Sequence, residues 1–267
     1  MISSRRAMLD VLEALEGHRD SLIIVGAHAI YLQVPSTQTA VAPFTRDSDM
    51  VINPEKLLDE PLIDELLART GFTLRDPNLP GSWVRGGDEL DLMVPHGVSK
   101  GGRRSARISP HAKHVARKTK GLEGTLVDNK VMELQSLEPE LDNRRISVRV
   151  AGPAALLVSK LYKLHERLAS GRPDRQHDKD AHDVYRILLQ ISQEELAERY
   201  GKLLNSEAST EVASTALSYL QEQFADDVGA PGSTMAGRTE EGIGNPAAVS
   251  LQVSILAAEL LQALSER

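Results

Sequence analysis

Hydrophobic positions along this chain change their spacing near residue 150. Before that point most apolar residues fall in short runs separated by Gly, Pro, Asn or Asp, a pattern typical of strands and turns. After it they recur every three or four residues almost to the C-terminus, as in amphipathic helices. The pattern predicts an α+β protein, with a mixed sheet and helices over residues 1–150 and a helical domain over residues 151–267.

The first region is predicted to begin with a helix and then to alternate strands with turns. Apolar residues at helical spacing predict an amphipathic helix over residues 1–16. A second helix is predicted over residues 26–32, and a third from Asn53-Pro54 to about Gly71, since proline is favoured at the first helical position. The predicted strands cover residues 21–25, 49–52, 72–74, 82–85, 89–94 and 145–150, a hairpin joins residues 124–127 to 130–134, and residues 35–43 form a loop.

The second region is predicted to be almost entirely helical after Gly152-Pro153. The predicted helices cover residues 154–169, 177–190 and 193–203 and two later segments. Residues 229–245 are rich in Gly and Ser, which predicts a mobile loop.

Composition narrows the class of protein. The chain has 267 residues and no cysteine, which excludes a disulfide framework and a thiolate zinc site. A net charge of −7 and a pI of about 5.7 argue against a protein that is basic overall. The N-terminus lacks an apolar signal-peptide core, and we find no apolar run of bilayer-spanning length. We therefore expect a cytoplasmic protein with no membrane partner.

Positive charge is concentrated in one stretch. Residues 100–120 contain eight Lys or Arg residues and no acid, together with Gly, Ser and Pro that predict a loop. Such a loop is either a solvated surface or a surface for phosphate backbones, here a tRNA. No aromatic residue interleaves the stretch, so stacking on single-stranded bases is not indicated. The candidate RNA-binding residues are Arg103, Arg104, Arg107, Lys113, Arg117 and Lys118.

Three aspartates suggest a metal site. Asp47 and Asp49 lie one residue apart, and alternate side chains of a strand share a face. Asp91 lies in another short apolar run, and if that run pairs alongside, three carboxylates converge. Carboxylate oxygens of this kind hold Mg²⁺ or Mn²⁺, whose remaining ligands are waters and substrate phosphates. The residues predict a metal-dependent enzyme that acts on nucleotide phosphates, although an isolated Asp-x-Asp is also common in solvated turns.

The order of these residues resembles a known superfamily. Gly26-Ala27, then Asp47-x-Asp49, then Asp91 on a separate strand is similar to the nucleotidyltransferases of polymerase-β type. In that superfamily a helix-opening Gly-Ser or Gly-Gly precedes an Asp-x-Asp strand. Ala27 departs from the pattern and removes a side-chain contact, while backbone N–H groups at a helix start still suit phosphate. His28 would replace that contact or only line the pocket.

The second half resembles a narrower family, the AbiEii-like toxins that include the MenT enzymes. Lys160, in LLVSKLYKLHERL, is followed about twenty residues later by a helix that begins Lys179-Asp180-Ala181-His182-Asp183. The resemblance covers roughly residues 20–190. It implies a nucleotidyltransferase-like fold in which Lys160 and Asp183 bind nucleotide and Asp180 assists catalysis. The bland alternatives are that Lys160 extends from a packed helix face and that the two aspartates form surface ion pairs.

The resemblance also implies a reaction. Asp47, Asp49 and Asp91 would hold the metal, and Gly26, Ala27, His28 and Lys160 would hold the phosphates of an NTP. An acceptor hydroxyl, by analogy the 3′ end of tRNA, would attack the α-phosphorus and release pyrophosphate. The protein would then be a translation-blocking toxin with a possible cognate antitoxin.

Two alternatives come from other classes of protein. His182-Asp183, with His165 and Asp226 recruited from elsewhere, would fit a metal phosphohydrolase of HD type. The other alternative is a catalytically inactive nucleotidyltransferase fold that only binds an antitoxin or RNA. The departure at Ala27 from the superfamily's pattern is consistent with it.

Overall fold

The computed structural model describes residues 1–34, 45–99, 104–172 and 178–267. The chain forms two compact units, of which the first comprises Met1–Ala29 and Phe44–Ala151 and the second comprises Ile30–Pro43 and Gly152–Arg267. The first unit holds the sheet and the second is helical, so the prediction of a mixed sheet followed by a helical region is confirmed.

Within the described residues the sheet is mixed and has eight strands. Its strands are β1 (Leu22–Ile24), β2 (Asp47–Ile52), β3 (Thr73–Leu74), β4 (Ser82–Arg85), β5 (Asp88–Pro95), β6 (Arg117–Thr119), β7 (Asn129–Gln135) and β8 (Arg145–Ala151). They lie in the order β3-β4-β5-β2-β1-β8-β7, and β6 pairs with the end of β5. Strands β2 and β5 at the centre are parallel, while β1 and β2 are antiparallel.

Helix α1 (Ile2–Ala14) covers one face of this sheet. Its Met8, Leu9 and Leu12 are fully buried, as the helical spacing of apolar residues predicts. The helix contacts β2, β5 and β8, and Ser48 Oγ of β2 donates a hydrogen bond to Ser4 O at 2.9 Å. Because side chains alternate along a strand, the neighbours of Ser48 on β2 point to the opposite face.

The first unit also contains α3 (Ile63–Arg69) and the start of α2 (Gly26–Gln33), which follows β1 directly. The expected helix start at Asn53-Pro54 is wrong, because helix α3 begins only at Ile63. The Asn53 side chain accepts from the Glu55 N–H and forms a local turn instead. Pro61 has no N–H to donate and disfavours helical geometry at the residue before it, which delays the helix further.

The expected hairpin across Asp128-Asn129 is also wrong. Residues Glu123–Leu126 form a 3₁₀ turn, and β7 pairs with β8 along its whole length, from Asn129 opposite Ala151 to Gln135 opposite Arg145. The strand partner of β7 is therefore later in the chain. The strand β6 was not predicted, because it lies within the basic stretch that we assigned to a loop.

The second unit is a group of packed helices. They are α4 (Pro153–Ala169), α5 (Asp178–Gln190), α6 (Gln193–Leu204), α7 (Thr210–Leu220) with a π turn (Gln221–Ala225), α8 (Pro231–Arg238) and α9 (Pro246–Ser265). Helices α4, α5 and α6 match the predicted helices within one residue or two at each end.

The expected mobile loop over residues 229–245 is wrong, because α8 lies within it. Its Met235 and Ala236 are buried. A Cβ added at Gly232 would lie 2.6 Å from the Phe224 ring, and one at Gly237 would lie 2.3 Å from the Ser250 hydroxyl. These glycines allow close packing of α8 against its neighbours. From composition alone, the same glycines indicate a flexible segment.

Helix α9 corrects a further expectation. In the part of the chain that the structure describes, it is the one helix long and apolar enough to cross a membrane, with a mean hydropathy of 1.6. Our expectation that no segment meets this test is therefore wrong. Val249, Val253, Ala257 and Leu260 form its buried side, and 28% of its apolar window is buried inside the protein.

Candidate active site on the acidic face of the sheet

Four carboxylates occupy neighbouring positions at the centre of the sheet. Asp47 and Asp49 alternate with buried residues on β2, and both are partly exposed. In the parallel pairing of β2 with β5, Asp49 lies opposite Asp91 and Asp47 lies opposite Glu89. Directly paired residues on adjacent strands share a face, so all four point away from the side that α1 covers. We call this set, Asp47, Asp49, Glu89 and Asp91, the acidic face.

The structure thus brings the three predicted aspartates onto one face and adds a fourth acid. Sequence reasoning missed Glu89, although a signal was present. Glu89 precedes Asp91 by two residues, as Asp47 precedes Asp49, so both strands carry acids at alternate positions.

Gly26 lies directly against this face. Its φ is +66°, a left-handed conformation that glycine adopts readily. A Cβ at this position would lie 2.1 Å from Asp49 Oδ2, so no other residue fits without displacing the carboxylate. The Val25 N–H also donates to Asp49 O at 3.0 Å. The start of α2 and the Asp49 carboxylate are therefore immediate neighbours, as the predicted combination of Gly26 with Asp-x-Asp requires.

Asp47 is oriented by its own chain segment. Its Oδ1 accepts from the Arg46 N–H at 3.2 Å and from the Thr45 hydroxyl at 3.3 Å. These bonds fix the carboxylate at the point where β2 begins.

The two acidic-face residues of β5 are each bound to an arginine. Arg117 NH2 donates to Asp91 Oδ2 at 2.8 Å, and Arg75 forms an ion pair with Glu89. Burial lowers the pKa of Arg117, but the bond and charge of Asp91 and the charge of Asp49 outweigh it, so the pKa is raised overall. Sequence reasoning placed Arg117 on an RNA-binding loop, and nothing in its spacing indicated Asp91 as its partner.

The acidic face has the right type of ligand for a hard divalent cation, but its carboxylates are not closely grouped. Carboxylate oxygens are the donors that Mg²⁺ and Mn²⁺ prefer. Across the described residues, however, no three His, Cys, Asp or Glu side chains are grouped closely enough to hold a metal ion. Asp47, Asp49 and Asp91 supply carboxylate oxygens on one face of the sheet, and Asp91 also accepts from Arg117.

His28 connects helix α2 to helix α1. Its side chain is only 1% exposed, its Nδ1 accepts from Arg5 Nε at 3.4 Å, and its Nε2 lies 3.1 Å from the Ser4 hydroxyl. Arg5 is itself buried, which lowers its pKa to about 10, and it also donates to Gln135 O at 2.9 Å. The ring therefore fixes the start of α2, next to Ala27, whose side chain is also buried.

Lys160, Asp180 and Asp183 meet inside the second unit. Lys160 Nζ lies 2.9 Å from Asp180 Oδ1 and 2.7 Å from Asp183 Oδ2, and all three side chains are nearly inaccessible. Arg167 and Lys163 contact Asp180 as well. The reading of these two aspartates as surface ion pairs is therefore wrong. They hold the ammonium of Lys160 in a fixed position.

The residues of the phosphohydrolase alternative are separately engaged. His182 Nδ1 accepts from Arg186 Nε at 3.3 Å and its Nε2 contacts Glu240 at 3.2 Å, while Asp183 is bound to Lys160. His165 stacks on Tyr219 with ring centroids 3.8 Å apart, and Asp226 is exposed. The described part of the chain shows no metal-binding group around these residues.

The basic stretch is partly packed and partly exposed. Arg103 lies outside the described residues. Ile108 and Val115 are buried, which corrects the expectation of a plain loop. Arg104, Arg107 and Lys113 are exposed, Lys118 is half-buried, and Arg117 belongs to the acidic face.

A cleft of about 360 Å³ lies away from these carboxylates, lined by Asp10, Glu13, Ala14, Thr70 and Arg85. Arg85 and Arg144 already bind Asp10, at 2.6 Å and 2.7 Å. The cleft reflects the ion pairs that join α1 to the sheet, and we assign it no ligand.

Comparison with known proteins gives one weak structural similarity to report. No protein-family model matches the chain. No curated protein matches it either. Among solved structures it is similar to the antibiotic-resistance factor ANT(2'')-Ia, with a TM-score of 0.43 and 12% identity over 82% of this chain and 97% of that chain. A similarity of this size assigns the chain no activity.

Proposed function

We propose that this protein is a metal-dependent nucleotidyltransferase that adds NMP from an NTP to an acceptor hydroxyl. The observation that carries the proposal is the contact of Gly26 with Asp49, beside Asp91. Gly26 and Asp91 are distant from Asp49 in the sequence, yet Gly26 lies against the Asp49 carboxylate and Asp91 lies opposite Asp49 in the pairing of β2 with β5. This combines a helix start suited to phosphate with carboxylates suited to Mg²⁺ or Mn²⁺.

Three carboxylates of the acidic face and the segment that begins α2 have roles in this proposal. Asp47 and Asp49 would hold the metal, which when bound would neutralise charge on the triphosphate and the leaving pyrophosphate. The backbone at Gly26 and Ala27 faces the phosphates, and His28 supports that segment from behind through α1. Asp91 has a second oxygen besides the one bound to Arg117, and we assign to that oxygen the proton of the attacking hydroxyl.

The reaction is a substitution at phosphorus. The acceptor oxygen forms a bond to the α-phosphorus, and the bond from that phosphorus to the bridging oxygen breaks. Pyrophosphate leaves with the bonding electrons, and the hydroxyl proton passes to a carboxylate of the acidic face. The protein holds the reacting groups and balances their charge, which is its main contribution in such reactions.

The role that we propose for Lys160 is that of a cation for the triphosphate. Two of its three N–H donors go to Asp180 and Asp183, which hold the ammonium. The two aspartates are positioning residues in this scheme, and the resemblance to AbiEii-like toxins supports it.

The acceptor that we propose is RNA, specifically the 3′ end of tRNA, with translation blocked as the result. Exposed cations at Arg104, Arg107 and Lys113 support an RNA partner, since they suit a phosphate backbone. The toxin role, the cognate antitoxin and the cytoplasmic location rest on the sequence resemblance.

Incubation with each labelled NTP, total RNA and Mg²⁺ or Mn²⁺ tests the proposal. Metal-dependent label in RNA together with released pyrophosphate supports it. Release of free phosphate without transfer would identify a phosphohydrolase instead, and binding of RNA without either product would identify an inactive relative.

A further inference from the structure

Arg117 occupies an unexpected place for a residue of a basic stretch. It lies on β6, opposite Met93 of β5 in a parallel pairing. Met93 follows Glu89 and Asp91 at alternate positions, so it shares their face of the sheet. Arg117 NH2 lies 3.5 Å from Met93 Sδ and 2.8 Å from Asp91 Oδ2. Both the register and the contacts place the guanidinium on the acidic face.

The Asp91 carboxylate holds this guanidinium without covering it. The Arg117 side chain is 34% exposed and that of Asp91 is 26% exposed. In the described structure only NH2 of the guanidinium bonds to another side chain. Its Nε and NH1 groups bond to no side chain in that part of the chain and point in different directions within the guanidinium plane, so each offers a charged donor to a phosphate oxygen.

The charge of Arg117 is maintained in this position. A guanidinium stays protonated in proteins. A permanent cation among four carboxylates favours binding of an anion there, because it offsets their repulsion. In the described contacts, no carboxylate forms an ion pair with the exposed cations of the same stretch, which are Arg104, Arg107 and Lys113.

We propose that Arg117 binds phosphate oxygens of the nucleotide substrate at the acidic face, held in place by Asp91, and does not contact the backbone of an RNA acceptor. The inference deepens the proposed function, on which its choice of a nucleotide rests. It divides the basic stretch into one residue for the triphosphate and several exposed residues for the acceptor.

Direct binding of inorganic tripolyphosphate and of Mg²⁺–NTP, measured by calorimetry, tests the inference. Arg117→Gln should weaken both by roughly 10-fold or more, the effect expected when a hydrogen bond to a charged group is lost. Arg117→Lys should fall between the wild type and Arg117→Gln, because an ammonium acts as a point charge. RNA affinity and its dependence on salt should not change.

Arg145→Gln is the matched control. Arg145 forms an ion pair with Glu133 at 3.0 Å on β8 and β7, at the far side of the same sheet. It should bind tripolyphosphate as the wild type does. Thermal melts of every variant show whether each is folded, and Arg117→Lys keeps the test decisive if Arg117→Gln does not fold.

Three outcomes separate the inference from the proposed function. Wild-type tripolyphosphate binding by folded Arg117→Gln or Arg117→Lys would overturn the inference, even if nucleotide transfer is observed in the wild type. A fall in kcat with unchanged tripolyphosphate affinity would also overturn it, since Arg117 would then only support Asp91. Arg117-dependent tripolyphosphate binding without any transfer activity would support the phosphate site and refute the proposed function.

Discussion

Gly26 and Asp49 are in such close contact that a single methyl group at residue 26 would overlap the carboxylate. The added Cβ would lie 2.1 Å from Asp49 Oδ2, and residue 26 has a φ of +66°. The start of α2 and the centre of β2 are therefore built around each other.

Gly26→Ala should consequently be more harmful than an ordinary substitution of a left-handed glycine. The left-handed conformation alone costs an alanine about 1–2 kcal/mol, and displacement of Asp49 adds to that loss. Gly86→Ala is the control, because Gly86 has a φ of +57° and no atom within 4 Å of an added Cβ. Urea unfolding and metal-dependent nucleotide binding of both variants provide the comparison. Equal effects of the two substitutions would mean that the contact with Asp49 is unimportant.

Lys160→Ala should destabilise the second unit strongly. The substitution leaves Asp183 and Asp180 buried without the ammonium that both contact. Removal of one partner from a buried ion pair costs about 3–5 kcal/mol. Lys163→Ala is the control, since Lys163 is 45% exposed and contacts Asp180 at the longer distance of 3.6 Å.

Urea denaturation of the two variants checks this prediction. Addition of Asp183→Asn to Lys160→Ala should recover part of the loss, because it removes the uncompensated charge. A free energy of unfolding for Lys160→Ala equal to that of Lys163→Ala would refute the buried network. Kinetics of Lys160 variants are informative only where the variant is folded, and Lys160→Arg retains the charge.

The stability of the protein should depend on His182 below about neutral pH. Burial lowers the pKa of His182 below its ordinary value of 6.5, against the opposing effect of Glu240. As the pH falls through 6.5, the unfolded chain takes up a proton that the folded chain does not, so the free energy of unfolding falls. The slope from this one group is at most about 1.4 kcal/mol per pH unit.

Denaturation of the wild type and of His182→Gln between pH 5.5 and 7.5, roughly the range in which histidine titrates, measures that slope. Glutamine cannot take up a proton, so the variant should lose less stability than the wild type as the pH falls. Parallel curves for the two proteins would show that His182 does not control the pH dependence.

Arg104, Arg107 and Lys113 should contribute to RNA affinity through phosphate contacts. Their combined replacement by Ala should weaken RNA binding and lower the slope of log K against log salt by roughly 2 to 3. NTP binding should not change. Lys202→Ala, an exposed cation of α6 that pairs with Glu198, is the control. An unchanged slope in the triple variant would mean that the basic stretch is only a solvated surface.

Local sequence pattern was sufficient for much of the fold. The apolar spacing of α1 and the alternation of acids with apolar residues around Asp49 and Asp91 gave elements that the structure confirms. Glu89 belongs to the same alternation. Only the pairing of β2 with β5, which places Glu89 opposite Asp47, shows that it is part of the site.

Other features depend on long-range contacts that pattern does not contain. The partner of β7 is β8, which begins about ten residues after β7 ends. The turn residues Asp128-Asn129 before β7 suggested a hairpin with the preceding segment instead. Gly232 and Gly237 in α8 indicate flexibility by composition, and only their contacts with Phe224 and Ser250 show close packing. The bond between Arg117 and Asp91 spans 26 residues and joins two strands, so charge density alone could not place Arg117 beside Asp91.

The central claim, that the acidic face catalyses metal-dependent nucleotide transfer, is tested most directly by Asp49→Asn in the labelled-NTP assay with total RNA. Asparagine has nearly the same volume as aspartate but is a weaker ligand for a hard cation. We predict that the wild type labels RNA only with Mg²⁺ or Mn²⁺, and that Asp49→Asn loses this labelling with an unchanged thermal melt. Glu133→Gln, an exposed acid of β7, should remain fully active. Transfer by folded Asp49→Asn at the wild-type rate, or no metal-dependent transfer by the wild type with any NTP, would contradict the account.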